Sequence, residues 1–520
     1  MRYIKIKNAI ISVSDKTNLE SLISYFEKNK ISIYSTGGTY KFLKDFKKRI
    51  TLHNISAYTN FPELLDGRVK TLHPNIHSGI LAKKNVSKHL SELRKRNLVF
   101  FDLVIVNLYQ FEKVISQDSK NEEICLENID IGGQTMLRAA AKNYPNVVVL
   151  SDPVQYSEFL EHSKRNPKGF SLNYRRRLAT EVFKSTAYYD SLISNWFSIE
   201  ENNETSKIST IPIKQTTKLR YGENPHQKAT LYSIGDQPLK KLSGKELSYN
   251  NIVDSELAYE LVNEFSESSC TIVKHANPCG VASSSNQLIA YKNALETDRE
   301  SAFGGVVAFN KKVEKKVAIE ISKLFIELVI APKFSSDALL HLRKKKNLIL
   351  IESRKKKKKN LLNLDIKSTK KFVLIQNFDT KKIEQKKVTF VTNQKPKKKE
   401  FEDLIFAQIV SKYMNSNAIV LVKNKKTISL SSGQTSRVEA ARIAINKLQM
   451  NDIKIIKKLG NIVLASDGFF PFPDIIELCS QNKISAIIQP GGSINDDKVI
   501  ELANKNEISM VFTGIRNFKH

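Results

Sequence analysis

Cysteine is scarce in this sequence, and long hydrophobic runs are missing. The four cysteines, Cys125, Cys270, Cys279 and Cys479, are scattered over 520 residues, so there is neither a disulfide framework nor a CxxC motif. No segment offers the roughly 18 consecutive apolar residues of a membrane span. The first residues also lack the apolar core of a signal peptide. We therefore expect a cytoplasmic protein without a membrane partner.

Acidic residues are also fewer than basic residues. Lys and Arg number 83 against 53 Asp and Glu, which gives a formal net charge of +30. Such a charge raises nucleic-acid binding as one hypothesis. The excess, however, is lysine rather than arginine, and the dense runs Lys355–Lys359 and Lys397–Lys399 contain no aromatic residues on which bases could stack. We therefore expect no specific nucleic-acid partner and interpret the charge as solvated surface that favours anionic substrates.

Alternating strand and helix patterns predict an α/β fold. Short apolar runs at Ala9–Val13, Ile31–Tyr34, Leu103–Val106 and Val147–Leu150 are typical of buried strands. Apolar residues at helical spacing occupy residues 19–26, between the first two runs. Strands separated by helices imply a parallel, doubly wound sheet.

A polar stretch divides the chain into two modules. Residues 198–218 are rich in Glu, Asn and Ser, which predicts modules at 1–199 and 219–520 joined by a linker at 200–218. The α/β pattern resumes in the second module. Its lysine-rich region at 341–400 is predicted to be variable and surface-exposed. The sequence shows no exact internal repeat.

Two polar turns after the first two strands predict a phosphate site. Ser14 and Lys16 follow the first strand, and the run Ser-Thr-Gly-Gly-Thr at 35–39 follows the second. Paired glycines let backbone N–H groups approach an anion, and hydroxyls and a lysine complete the binding site. Arg68 and Lys70 alternate, so both would face one side of an extended segment and add positive charge.

Tyr109, Asp130 and Lys142 are further candidates in the first module. Tyr109 follows a strand, and Asp130 precedes a Gly-Gly pair that opens a helix carrying Lys142. A tyrosine, an aspartate and a lysine at such ends can move protons and polarise a carbonyl oxygen. From the spacing alone, a core aromatic and a solvated lysine are the better explanation.

Lys274 and His275 are the principal candidates in the second module. They end the apolar run Cys-Thr-Ile-Val, and Asn277, Pro278 and Gly280 predict a turn immediately after them. In open α/β sheets, ligands gather past the carboxyl ends of strands. The pattern therefore places a titratable imidazole and an ammonium group at a potential site. An ordinary strand end with a solvated lysine is the alternative.

Two histidine patterns suggest zinc, and neither is convincing. His73 and His77 are four residues apart, but Pro74 argues against a helical pair and the Glu of an HExxH motif is missing. The segment His-Ala-Asn-Pro-Cys at 275–279 is only distantly similar to the zinc deaminase signature, because Asn replaces the Glu and the second Cys of PCxxC is absent. We expect no catalytic metal.

Ordered strings along nearly the whole chain carry a family resemblance. They are SVSDK, STGGT, GRVKTLHP, NLY, DIGG and RAAAKN in the first module, and LRYGENPHQ, VKHANPCG, SAFGG, SSGQTSR, SDGFFPFPD and the terminal RNFKH in the second. Together they closely resemble the bifunctional purine biosynthesis family that couples AICAR transformylase with IMP cyclohydrolase. The resemblance implies an enzyme that transfers a formyl group from the cosubstrate 10-formyltetrahydrofolate to AICAR. It then closes the ring of the product, FAICAR, with loss of water to give IMP.

The same resemblance implies a fold and an assembly. The N-terminal module would be a methylglyoxal-synthase-like doubly wound parallel sheet that performs ring closure. The C-terminal module would contain two cytidine-deaminase-like α/β subdomains without zinc and would transfer the formyl group. Members of the family are homodimers, so we expect a homodimer.

Site residues follow from the resemblance, position by position. The residues that match catalytic positions are Lys70, Tyr109, Asp130 and Lys142 for ring closure, and Lys274, His275 and Asn417 for formyl transfer. The residues that match substrate sites are Ser14, Lys16, Thr36, Gly37, Gly38, Thr39, Arg68, Arg220, Tyr221, Asn251, Phe303, Gly304, Glu327, Asp467 and Arg516. His275 would act as the base, Lys274 would stabilise an oxyanion, and Asn417 would orient the formyl group. Glu327 departs from those members that carry Asp, and residues 341–400 resemble the family poorly.

Two other classes of protein are open alternatives. A basic nucleic-acid-binding protein would show salt-dependent affinity for arbitrary DNA beyond what its charge explains. A regulatory protein would use the first module only to sense a nucleotide, and the intact ring-closure positions count against that alternative.

Overall fold

The computed structural model describes residues 2–62, 64–65, 69–118, 121–198, 207–234, 239–353, 364–450 and 461–520. The chain divides into two compact units, one up to Lys214 and the other from Gln215 onward. This division lies within the range 200–218, where the polar composition predicts a linker. Among the described residues, no helix is both long and apolar enough to span a membrane.

The first unit alternates strands and helices. Its described strands are β1 (Tyr3–Ile4), β2 (Asn8–Val13), β3 (Ser32–Ser35), β4 (Thr51–Asn54), β5 (Leu103–Asn107), β6 (Val148–Leu150) and β7 (Phe170–Ser171). Its described helices are α1 (Ile23–Lys28), α2 (Gly37–Lys44), α3 (Ile55–Thr59), α4 (Pro74–Leu81), α5 (Ser87–Lys95), α6 (Phe111–Asp118), α7 (Glu122–Glu127), α8 (Gly132–Lys142), α9 (Gln155–Arg165) and α10 (Leu172–Phe197). A short 3₁₀ helix at Leu19–Leu22 precedes α1.

A parallel sheet forms the centre of this unit. Its described strands lie in the order β4-β3-β2-β5-β6, and each neighbouring pair is parallel. Every residue of β5 is buried, as expected for a β-branched strand covered on both faces. The predicted parallel doubly wound sheet is confirmed. Because the strand order reverses between β2 and β5, their carboxyl ends flank the crevice in which such sheets bind ligands.

The second unit is also mixed α/β. Its described strands are β8 (Lys214–Lys218), β9 (Thr230–Ser233), β10 (Leu239–Ser243), β11 (Ser268–Lys274), β12 (Asn277–Ser284), β13 (Val306–Phe309), β14 (Leu328–Ala331), β15 (Ile349–Ser353), β16 (Leu364–Ser368), β17 (Val373–Asn377), β18 (Thr389–Phe390), β19 (Ile419–Lys423), β20 (Lys426–Ser431), β21 (Ile462–Ser466), β22 (Ile484–Gln489) and β23 (Ser509–Phe512). Its described helices are α11 (Tyr249–Val262), α12 (Gln287–Thr297), α13 (Arg299–Ala302), α14 (Lys315–Ile321), α15 (Ser336–Leu342), α16 (Lys398–Lys412), α17 (Arg437–Met450), α18 (Asp474–Gln481) and α19 (Asp496–Lys505), with a short 3₁₀ helix at Gln385–Lys387.

Twelve described strands of this unit form one large sheet with a duplicated topology. The order is β10-β15-β14-β13-β11-β12 followed by β20-β19-β21-β22-β23-β18. Each half contains an antiparallel hairpin, three parallel strands and an antiparallel edge strand, and the two halves meet where β12 pairs with β20. The sequence shows no repeat because topology depends on the apolar pattern, and many different residues satisfy that pattern.

The lysine-rich region is predicted to be surface-exposed, but part of it is buried. Within 341–400, β15 is an inner strand whose residues are almost all buried, because Ile349, Leu350 and Ile351 pack into the core. The run Lys355–Lys359 lies outside the described residues. By contrast, β16 and β17 pair only with each other among the described strands, and every residue of β17 is exposed.

Candidate active sites

Two lysine side chains approach the glycine turn at the start of α2. Gly37 has φ of +56°, a conformation that glycine adopts without strain. A Cβ built on Gly37 would lie 2.9 Å from Lys70 Nζ, and one built on Gly38 would lie 3.8 Å from Lys16 Nζ. Two ammonium groups therefore face the N-terminus of a helix, an arrangement that suits a phosphate dianion.

Asn107 fixes the loop that carries Ser14 and Lys16. Its Oδ1 accepts hydrogen bonds from the backbone N–H of Ser14 (2.7 Å) and Asp15 (2.9 Å), and its Nδ2 donates to Asp15 O (2.7 Å). Thr39 Oγ1 holds the same strand end, since it lies 3.0 Å from both N and O of Val13. The predicted site residues do not include Asn107, although a polar residue that ends an apolar strand is a usable signal.

Asp130 is a buried carboxyl group at the start of α8. Burial raises its pKa, and hydrogen bonds from the N–H groups of Gly133 and Tyr109, with the charge of Lys70, offset this only in part. Gly133 N donates to Asp130 Oδ1 over 2.7 Å. The pKa of Tyr109 is raised by burial and by the charge of Asp130. A carboxyl, a phenol and an ammonium group therefore share one environment, where they can move a proton and stabilise an oxyanion.

Two predicted residues of the first unit are not placed with this group. Lys142 is exposed at the last position of α8, roughly 15 Å along the helix axis from its start beside Asp130. There it lines a groove of about 610 Å³ with Arg138 and Arg176. Arg68 lies outside the described residues.

Lys274 precedes a tight hairpin turn, and His275 is the first residue of that turn. Lys274 ends β11 and pairs with Asn277, which begins β12, so His275 and Ala276 are the two turn residues. Both have positive φ, +54° and +56°, as a two-residue hairpin of the type I′ class requires. The predicted turn at 277–280 is wrong, because the chain reverses two residues earlier and Pro278 lies within β12.

A second loop lies against this turn. Asn415 N donates to Asn277 Oδ1 (3.2 Å), and Asn417 Nδ2 donates to Gln434 O (2.9 Å). Lys274, His275, Asn277 and Gln434 all line one cavity of about 240 Å³. The structure thus brings Asn417 into the neighbourhood of the two bases, and Gln434 joins the set of candidate site residues.

Cys279 also lines this cavity and does not act as a nucleophile. Burial raises the pKa of its thiol to about 12, and its Sγ donates weakly to Ile272 O. A thiol with that pKa stays protonated at neutral pH, whereas the thiolate is the reactive species.

Asp467 is fully buried behind the Asn417 loop. Its carboxylate pairs with Arg437, accepts from Ala418 N (3.0 Å) and contacts the Ser416 hydroxyl. These contacts place it where it can position the loop, and its assignment to the substrate site stays a prediction. The C-terminal segment closes over this region, since Asn517 N donates to Asp467 O over 3.0 Å.

The remaining candidates of the second unit form a neighbouring group. Lys274 Nζ donates to Phe303 O (2.8 Å), which joins the catalytic candidates to the exposed Phe303 ring and the Gly304 turn. Asn251 Nδ2 reaches Glu327 Oε1 at 3.5 Å. Glu327 also forms an ion pair with Lys245 at 2.6 Å.

Two arginine side chains of this unit stack on aromatic rings. Arg220 lies over the ring of Tyr221 at 4.6 Å, and its Nη2 donates to the tyrosine hydroxyl over 2.8 Å. Arg516 lies 4.5 Å from the ring of Phe518 in the C-terminal segment. Such stacking holds a guanidinium group in a fixed orientation while leaving N–H donors available for an anion.

No group of three or more His, Cys, Asp or Glu side chains in the described ranges is arranged to hold a metal ion. His73 instead caps α4, because its Nδ1 accepts from Asn75 N over 3.2 Å. Burial lowers the pKa of His77, the other member of the predicted pair. His73 therefore has a structural role at the start of a helix.

Two family models and several curated relatives match this chain. The AICARFT/IMPCHase bienzyme family matches residues 140–447, and the MGS-like domain family matches residues 18–135. The bifunctional purine biosynthesis protein PurH of Caldicellulosiruptor saccharolyticus is 46% identical over 523 residues, covering 99% of this chain and 100% of the relative. The protein of the same name from Fusobacterium nucleatum is 46% identical over 519 residues, with the same coverage. The crystal structure of ForH is 31% identical and covers 37% of this chain and 100% of its own, with a TM-score of 0.32.

The fold and the matched families define a bifunctional α/β enzyme of purine biosynthesis. The chain belongs to the AICARFT/IMPCHase bienzyme family. It is a bifunctional enzyme that catalyses the last two steps of IMP synthesis, with 10-formyltetrahydrofolate as the cosubstrate.

Proposed function

We propose that the two reactions are divided between the two modules. Residues 1–199 would close the ring of FAICAR, residues 219–520 would transfer the formyl group to AICAR, and residues 200–218 would join them. The observation that carries this proposal is that each compact unit contains its own proton-transfer group, Asp130 in one and His275 in the other.

Ring closure needs a base, an oxyanion site and a phosphate site. The carboxamide nitrogen of FAICAR attacks the formyl carbon, a carbon–nitrogen bond forms, and the nitrogen loses a proton to Asp130. Lys70 and Tyr109 stabilise the developing oxyanion. The oxygen then takes up two protons and leaves as water when its bond to carbon breaks, and the formamide nitrogen loses its own proton as the ring double bond forms. The helix start at Gly37–Gly38 and Lys16 hold the substrate phosphate. Lys142 lies at the far end of α8 and stays a predicted catalytic residue for ring closure, with no step assigned to it here.

The remaining residues of the predicted phosphate site lie around the helix start at Gly37–Gly38. Thr36 precedes the helix start in an extended conformation, and Ser14 presents its hydroxyl from the loop that Asn107 holds. Thr39 stabilises the proposed phosphate site through its hydrogen bonds to Val13 at the end of β2. Arg68 stays a predicted ligand of the same substrate.

Formyl transfer needs a base, because the AICAR amine is conjugated with its ring and is a weak nucleophile. The amine attacks the formyl carbon of 10-formyltetrahydrofolate and gives its proton to the imidazole of His275. Lys274 stabilises the oxyanion, and Asn417 orients the formyl group. The bond from the formyl carbon to the folate nitrogen then breaks, and that nitrogen takes up a proton as tetrahydrofolate leaves.

The substrate of this second reaction would be held by the neighbouring group. Arg220 and Arg516 supply fixed positive charge for the AICAR phosphate. Phe303 offers an exposed ring face beside Lys274. The other residues proposed for substrate binding are Tyr221, Asn251, Gly304, Glu327 and Asp467.

Crossed single substitutions in the full-length protein test this division. We expect His275→Ala to lose formyl transfer by about 100-fold or more and to keep ring closure when it is supplied with FAICAR. We expect Asp130→Asn to lose ring closure and keep formyl transfer. If either substitution abolishes both reactions in a folded protein, or if His275→Ala transfers formyl normally, the assignment is wrong.

We further propose a homodimer in which a second copy covers the β16–β17 hairpin. Phe372, Val373 and Leu374 are 69%, 59% and 57% exposed, and a hairpin of two strands is only marginally stable in water on its own. Exposed apolar patches of this kind mark protein interfaces. Light scattering should show a dimer that Leu374→Lys weakens and Lys370→Glu, outside the apolar strand, leaves intact. A monomeric wild-type protein would refute the proposal.

The cytoplasm is the proposed compartment. None of the four cysteines, all of which the structure describes, forms a disulfide, and three of them are buried. Cysteines without disulfides are typical of a reducing compartment. Fractionation of cells that express the protein at its natural level, followed by detection in the soluble cytoplasmic fraction, would test this.

A further inference from the structure

The turn that carries His275 needs support from elsewhere in the fold. His275 and Ala276 both adopt the left-handed conformation, which costs energy for any residue with a Cβ. Neither residue is Gly, Asn or Asp, the types that adopt it most readily. A conformation of this kind persists only when the surrounding structure holds it in place.

Asp254, on the neighbouring helix α11, supplies that support. Its Oδ1 accepts the backbone N–H of Ala276 over 2.7 Å. Burial raises the pKa of the Asp254 carboxyl, and the N–H groups of Ala276 and His275 and the charge of His275 act against that rise. The carboxylate therefore binds the turn backbone and lies close enough to His275 for their charges to interact.

We infer that Asp254 is a positioning residue for His275. It holds the two-residue turn, and with it the imidazole, at the orientation that formyl transfer requires. This inference rests on the proposed role of His275 as the base.

The second half of the same sheet also has an aspartate that binds the backbone of a two-residue turn, but that turn has no histidine. Asn424 and Lys425 form the β19–β20 turn with φ of +52° and +53°. Asp403 accepts the N–H of Asn424 (2.7 Å) and of Lys425 (2.6 Å). Asp254 and Asp403 are both the sixth residue of their helices, α11 and α16.

Because both halves contain such an aspartate, they can be compared to tell whether the carboxylate only stabilises the hairpin or also positions a catalytic group. If it only stabilises a hairpin, its loss should have the same consequences in both halves. If it also positions a catalytic group, its loss should impair the reaction in the first half alone, because only that turn carries a histidine. Asp403 is thus a matched internal control for Asp254.

The experiment compares Asp254→Ala, Asp254→Asn and Asp403→Ala in the full-length protein. We expect Asp254→Ala to lower kcat for formyl transfer about 100-fold, as small misplacements of a catalytic group do, with KM for AICAR changed by no more than about threefold. Asparagine retains an acceptor oxygen, so Asp254→Asn should recover kcat to within about tenfold of the wild type. Asp403→Ala should leave kcat within about threefold.

Ring closure of FAICAR and the thermal midpoint serve as controls for folding. The inference is overturned if Asp254→Ala keeps its kcat, if Asp403→Ala lowers kcat as much, or if Asp254→Asn is as impaired as Asp254→Ala. Should Asp254→Ala fail to fold, the comparison of Asp254→Asn with Asp403→Asn decides: a larger kcat loss at position 254 supports the inference, and equal kcat values overturn it. His275→Ala is measured in parallel. Normal formyl transfer in that variant refutes the proposed function, whereas its loss together with a normal Asp254→Ala refutes only the inference.

Discussion

The two halves of the large sheet share one topology but differ in the residues at equivalent positions. The β11–β12 turn presents Lys274 and His275, and the β19–β20 turn presents Lys423 and Asn424. An aspartate from the preceding helix anchors each turn. The scaffold therefore holds a turn of the same conformation in each half, and the proposed chemistry depends on the side chains that the turn carries.

A second pair of equivalent positions differs in charge: Asn310 in the first half corresponds to Asp467 in the second. Asn310 follows β13, and its Oδ1 accepts the N–H of Ser269 over 2.9 Å. Asp467 follows β21 in the same way, and its Oδ1 accepts the N–H of Ala418 over 3.0 Å. The first half therefore uses a neutral amide where the second uses a carboxylate that needs Arg437 as a partner.

The largest effect on stability is expected at Asp467. Asp467→Asn copies the neutral first half but leaves Arg437 buried without its partner, which should cost about 3–5 kcal/mol of unfolding free energy. Adding Arg437→Met removes the unpaired charge and should recover part of the loss. Urea unfolding of the single and double variants measures both values. A cost below about 1 kcal/mol for Asp467→Asn would show that the ion pair does not hold this half together.

The equivalent lysines should differ in their effect on catalysis. Lys274→Ala should lower kcat for formyl transfer about 100-fold, because an oxyanion donor is lost, and Lys423→Ala should leave kcat unchanged. Steady-state kinetics with AICAR and 10-formyltetrahydrofolate provide the measurement. Equal losses in the two variants would mean that Lys274 acts through the stability of the hairpin.

In the first unit the proposed base is a buried carboxyl, Asp130, whereas in the second it is a histidine. The ionisation of Asp130 should make the stability of the protein depend on pH. The pKa of Asp130 is raised above the ordinary value of 3.8, so the folded protein loses stability as the pH rises from that value through the folded-state pKa. Asparagine cannot ionise. Asp130→Asn should therefore raise the thermal midpoint at neutral pH by a few degrees, give no gain below about pH 4, and abolish ring closure. A midpoint below that of the wild type at neutral pH would contradict this.

The smallest effect is expected at the exposed face of the later turn. Lys425 pairs with Glu267 over 2.6 Å, and both side chains remain substantially exposed. Glu267→Gln should cost less than about 1 kcal/mol, since solvent screens such pairs, and formyl transfer should not change. Thermal unfolding at low and high salt would detect a larger contribution.

The sequence predicts the parallel sheet of the first unit and the pair Lys274–His275, because both depend on local patterns. Apolar runs of strand length define β2, β3, β5 and β6, and the bases stand where such a run ends. The chain reversal lies two residues earlier than predicted, since Pro278 is typical of a strand breaker and yet β12 tolerates it.

Other features depend on contacts between distant residues and leave no local signal. Asp254 lies 22 residues from the backbone it holds, and Asp467 lies 30 residues from Arg437. The duplicated halves share topology, yet Val-Lys-His-Ala-Asn and Val-Lys-Asn-Lys-Lys at their turns are identical at only two of five positions. Lys142 stays a prediction, because the sequence match alone does not show that it lies at the opposite end of α8 from Asp130.

The most direct test compares His275→Ala with its structural counterpart, Asn424→Ala, in assays of both reactions. We predict that His275→Ala loses formyl transfer about 100-fold or more, that Asn424→Ala keeps it, and that both variants close the ring of FAICAR at the wild-type rate. Equal formyl transfer in the two variants would contradict the claim that one turn of a duplicated scaffold carries the chemistry.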